Sequence, residues 1–187
     1  ADSSLSVEIA SIVRDDHLSH PPEVVTTIRQ DVAADYAAAA DQLNRSGVNV
    51  VLIEHEYGIF GGDSGKYALK LINNLTVPVA VTLHTVLEKP APDRVRILRN
   101  LCDRAALIMV FTETARRMVI EQQLVDAESV RVVPHGAPDE LTAAAWSDRV
   151  SDDISTSSLQ LGLPSLAGRA VLSTFGLISD SKGLELA

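Results

Sequence analysis

The chain has 187 residues, 46% apolar and 22% charged, with a formal net charge of −9. Such a chain can build a globular core, but its acidity argues against nucleic acid as the main partner, because a binder must neutralise phosphates with a basic face. A single cysteine, Cys102, excludes an intramolecular disulfide and a cysteine-built metal centre, and its helical setting favours a buried structural thiol over a nucleophile.

No apolar run approaches the ~18 residues of a membrane span. The opening ADSSLSVEIA lacks the basic start and long apolar centre of a signal peptide. Residues 5–13 predict a strand, with Val7, Ile9 and Val13 on one parity. Arg14, Asp15, Asp16, His17 and His20 then read as a polar loop running through Pro21 and Pro22. Residues 31–45 predict a helix in which Val32, Tyr36, Ala39 and Leu43 share a face and Gly47 closes the end. The run 48–53 predicts a strand that stops at Glu54, His55 and Glu56. Gly58, Gly61, Gly62 and Gly65 follow, then a helix over 65–74 with Leu69 and Ile72 inward, stopped before Pro78. Residues 79–83 form the next strand, ending in His84 and Thr85. Pro92 fits the first turn of a helix with Val95, Leu98 and Leu101 as its buried stripe. Residues 107–111 are a further strand, Thr112 caps a helix to about Gln123, and 130–133 is a last strand ending in Pro134, His135 and Gly136.

This alternation predicts an α/β fold, a Rossmann-like parallel sheet with helices on both faces. The apolar strands VNVVLI, VAVTL and LIMVF suit burial on both sides. Residues 1–139 form one domain. Residues 140–168, rich in Ala, Ser and Asp without an apolar period, read as a linker. In 169–187, AVLSTF is a strand and GLISDSKG a turn into a helix, the opening of a second α/β domain.

Strand, glycine loop and helix can bring main-chain N–H groups up to a ligand; the alternative is a sharp turn and nothing more. His55, His84 and His135 each follow closely on a predicted strand end, where open parallel sheets bind ligands, so the three rings are expected along one rim. The alternative for any one of them is a histidine satisfying a loop carbonyl. A zinc site is the minor reading, since no HExxH-type spacing occurs. Glu54 and Glu56 would point away from the His55 face; Glu56 could orient a hydroxyl or an imidazole, or be a solvated rim charge. Lys182, near a helix start after Gly176, could hold a diphosphate or lie exposed as most lysines do.

HEYGIFGGDSG, TLHTVLEKP, VVPHGAPDE and STFGLISDSKGLE, in this order, resemble the family 4 glycosyltransferases, in their mannosyltransferase-like branch. The resemblance covers nearly the whole chain apart from the linker. It implies the N-terminal, acceptor-side half of a GT-B fold and the start of its donor-binding half. It further implies that His84 contacts the donor sugar, that His55, Glu56, Gly58, Gly61 and Gly62 face the acceptor and cleft, and that His135 and Gly136 lie before the crossing to the second domain. Gly176 and Lys182 would hold the donor diphosphate. The implied reaction is retaining transfer of a hexose, in particular mannose from GDP-mannose, to a glycan or lipid-linked acceptor. No metal or other cofactor is implied. The implied setting is cytoplasmic, with peripheral membrane contact open to the full-length protein. Leu177 stands where many relatives carry arginine. The family's first strand and most of its donor half are absent, so this polypeptide alone is expected to be inactive. Two rival readings stay open: a non-catalytic sugar- or nucleotide-binding module, and a nucleotide-sugar epimerase or phosphorylase of the same architecture.

Overall fold

A computed structural model describes residues 5–14 and 19–136. Their elements belong to one compact unit that ends at His135. In chain order they are β1 (Ile9–Val13), β2 (Val24–Arg29), α1 (Ala33–Ser46), β3 (Val51–His55), a 3₁₀ turn (Asp63–Gly65), α2 (Ala68–Ile72), β4 (Val79–Leu83), α3 (Pro92–Arg104), β5 (Leu107–Val110), α4 (Glu113–Glu121) and β6 (Val130–Val132). β3, β4, β5 and β6 pair in that order as a parallel sheet, and β1 pairs with β2 in a separate parallel ribbon. The fold is α/β, with a Rossmann-like parallel sheet flanked by helices.

Local chemistry explains the helix ends. Gly47 takes φ +81 and closes α1 in the left-handed conformation that glycine adopts without a Cβ penalty. Pro92 sits in the first turn of α3, where its missing N–H costs nothing. The Thr112 side chain accepts the Ala115 N–H at 3.0 Å and caps α4. α1 buries Tyr36, Ala39 and Leu43, and α3 buries Ile97, Leu98, Leu101 and Cys102.

Burial differs between the two faces of the main sheet. Ile53, Val79, Val81, Leu83, Ile108, Val110 and Val130 point into the core, and the register puts them on one face. On the other face Leu52 is 50% exposed, and Glu54 and Arg131 are exposed as well.

Three sequence expectations need correction. Residues 24–29, between the Pro21–Pro22 loop and the helix expected from 31 and assigned to no element, form β2; their β-branched run VVTTI carried the signal. The strand expected to stop at residue 53 continues to His55, because the ladder to β4 runs on through Glu54↔Thr82 and His55↔Leu83. The helix expected over 65–74 shrinks to Ala68–Ile72, since Ser64 at φ 55 and Gly65 at φ 80 leave helical geometry. The loop residues Asp15, Asp16 and His17, the 140–168 linker, the 170–175 strand, Gly176, Leu177 and Lys182 lie outside the described residues. Among the described residues no helix is long and apolar enough to cross a membrane.

Candidate functional site

The carboxyl ends of β3 and β4 carry two parallel sets of side-chain bonds. Glu54 and Thr82 are register partners, and the Thr82 hydroxyl donates to Glu54 Oε1 at 3.2 Å. The other oxygen, Glu54 Oε2, lies 2.7 Å from His84 Nε2. One step further out, Thr85 Oγ1 donates to Glu56 Oε2 at 2.5 Å and the Tyr57 N–H donates to Glu56 Oε1 at 2.8 Å. The chain leaves β4 with its main chain still tied to β3, the His84 N–H donating to the His55 carbonyl at 3.0 Å.

Beside this pair, Phe111 at the end of β5 meets the His84 ring edge-on at 4.9 Å between centroids. His135, past β6, lies 4.7 Å from Phe111 and 6.4 Å from His84. His84 and His135 are both exposed, and Gly136 follows them, exposed too. Two imidazoles, one aromatic face and two anchored carboxylates therefore share the carboxyl-end rim, where parallel sheets offer a crevice to ligands.

His55 does not join them. The strand-end positions predict three rings on the rim, but the extension of β3 gives this residue the inward parity of Val51 and Ile53. It is 0% exposed, stacked on Phe60 at 5.7 Å and edge-on to Tyr57 at 5.2 Å. Neither ring nitrogen has a hydrogen-bond partner, nor does the Tyr57 hydroxyl. Burial lowers the His55 pKa from 6.5 to about 4, with Glu56 pulling the other way and His84 adding to the fall. Burial also raises the Tyr57 phenol to about 12, against the pull of the Arg94 guanidinium lying 4.9 Å over its ring. Cys102 is buried and its thiol is pushed up to about 12, as expected of a structural residue.

The glycine loop is mostly committed to the protein itself. A Cβ on Gly61 would lie 1.8 Å from the Gln30 carbonyl oxygen. Its N–H donates to the Tyr36 hydroxyl at 2.9 Å, and that hydroxyl donates to the Gln30 carbonyl at 2.8 Å. Gly62, at φ +75, packs against Lys66 and Tyr67. The close approach at Gly61 thus serves the joint between β2 and the loop and keeps its buried main chain from a ligand, whereas Gly62 is half-buried. Gly58 differs: it is exposed, and a methyl added there would meet nothing within 4 Å, while its carbonyl accepts Gln30 Nε2 at 2.9 Å.

A cavity of about 210 Å³ is lined by Val13, His20, Thr27, Arg29 and Asp35. Arg29 holds Asp35 there with bonds of 2.7 and 2.9 Å, and this pairing keeps the Asp35 carboxyl below its usual range. Among the described residues no group of three or more His, Cys, Asp or Glu is arranged to hold a metal ion. Thr82 and Phe111 are rim residues that sequence reasoning leaves out, while it places Glu54 and Thr85 at strand ends, Glu54 away from the His55 face, without a role in the site. Glu54 and Thr82 are 28 positions apart and become partners only through the β3–β4 register.

No family model matches the chain, and a search of curated proteins finds no match either.

Proposed function

We propose that this domain is the acceptor-side part of a retaining hexosyltransferase. It would move a hexose, mannose in the first instance, from a nucleotide-sugar donor to a glycan or lipid-linked acceptor. The observation that carries the reading is the Glu54–His84 pair standing beside Phe111 and His135 at the carboxyl-end rim. A sugar needs this mixture: polar groups to bond its hydroxyls and an aromatic face for its apolar C–H side. The sequence resemblance supports the same assignment, with His84 at the donor sugar and Glu56, Gly58, His135 and Gly136 lining the approach. Gly176 and Lys182 would serve the diphosphate, whose leaving negative charge needs N–H donors and a cation. His55 is supporting structure in this reading, because its buried ring cannot reach a ligand.

The test is direct. Titrating GDP-mannose, UDP-glucose and methyl α-mannoside into the protein should shift the His84 and His135 imidazole resonances for the correct ligand. The full-length enzyme should then yield a hexose-extended acceptor. His84→Ala should lower that transfer by roughly 10²-fold or more while leaving the thermal midpoint in place. If no sugar or nucleotide sugar moves either resonance, the reading fails. Binding without any transferred, epimerised or released sugar would identify a binding module instead.

A further inference from the structure

The geometry points to Glu54, braced by Thr82, as the residue that positions His84: it fixes the ring with Nε2–H toward the carboxylate and leaves Nδ1 as the ring's acceptor. An ionised carboxylate can only accept a hydrogen bond, so the proton between Glu54 Oε2 and His84 Nε2 belongs to the imidazole. In a neutral imidazole the other nitrogen must then be an acceptor. Among the described residues, His84 Nδ1 has no hydrogen-bond partner.

The carboxylate is itself held. Thr82 is 4% exposed, and its hydroxyl spends its proton on Glu54 Oε1. The ring is further confined by the edge contact with Phe111 and by the main-chain bond from His84 to the His55 carbonyl. Tautomer and orientation are therefore set before a ligand arrives, so little ordering remains to be done on binding. The chemical consequence concerns selectivity. Neutral His84 receives a hydroxyl or N–H from its ligand, whereas a carboxylate or phosphate oxygen at the same place would meet a lone pair. This consequence rests on the reading that His84 touches the ligand; the role of Glu54 does not.

Side-chain ¹⁵N–¹H correlation spectra at alkaline pH, where imidazole is neutral, give the ratio of the two tautomers. The reference is the same chain unfolded in urea. Folded wild-type protein should favour Nε2–H over that reference by roughly tenfold, as a charge-assisted hydrogen bond would impose. Glu54→Gln keeps the shape but can donate as well as accept, so the ratio should return to the unfolded value or below it. Thr82→Val should move it part of the way. Both variants should melt cooperatively, which separates a lost orientation from a lost fold. A wild-type ratio equal to the unfolded one, or a ratio that Glu54→Gln leaves unchanged, overturns the assignment. Wild-type bias without any binding of GDP-mannose or methyl α-mannoside keeps the role of Glu54 and removes the transferase reading; binding without the bias does the reverse.

Discussion

His55 illustrates how one residue can look functional and be structural. Its ring is buried between Phe60 and Tyr57 with both nitrogens unsatisfied, and burial holds its pKa at about 4. Buried polar atoms without partners cost free energy that an apolar side chain would not. The unfolded chain takes up this proton near pH 6.5, the folded chain only near pH 4. Between those values the unfolded state binds more protons, so stability is complete above pH 6.5 and falls as the pH drops toward 4, by up to about 1.4 kcal/mol per unit. Denaturant unfolding of wild type and His55→Leu from pH 7.5 to 4 checks this. The variant should be at least as stable as wild type at pH 7.5 and lose less on acidification. An equal acid slope in the two proteins would show that His55 is not the titrating group.

At the scale of elements, the glycine loop divides into positions that hold the fold and one that stays open. Gly61 abuts the Gln30 carbonyl at the end of β2, and a methyl there has nowhere to go without moving main chain. Gly61→Ala should lower stability by about 3 kcal/mol, the scale of a forced overpacking. Gly58→Ala should change it by no more than about 0.5 kcal/mol, since its surroundings are open. Thermal melts of the two variants compare them directly. If Gly58 borders a ligand as proposed, its alanine variant weakens sugar binding with no change in the melt. Similar melts for both variants would contradict the packing described at Gly61.

Across the whole domain, stability should be distributed unevenly. β4 has four of its five residues buried and a paired strand on each side, whereas among the described residues β1 and β2 pair only with each other and each bury one residue, Val13 and Ile28. Amide exchange should therefore be slowest in β4 and the neighbouring β5, with the β1–β2 ribbon opening at lower free energy. Equal protection of Ile28 and Val81 would contradict this, because it requires the ribbon and the sheet to open only together.

Sequence alone determined the alternation of strands and helices, and hence the parallel α/β sheet. Those signals are local: apolar runs in VAVTL and LIMVF, the Thr112 cap, Gly47 at a helix end and Pro92 at a helix start. It also placed His84 and His135 at strand ends. Only the tertiary structure decided which histidine faces outward. A strand alternates its side chains, so extending β3 by the two residues Glu54 and His55 turned one ring into the core and one carboxylate out to the rim. That extension depends on the β3–β4 ladder, as does the meeting of Glu54 with Thr82 and His84. Hydrogen bonds between strands nearly thirty residues apart leave no periodic trace along the chain, and the fold itself has to bring such partners together.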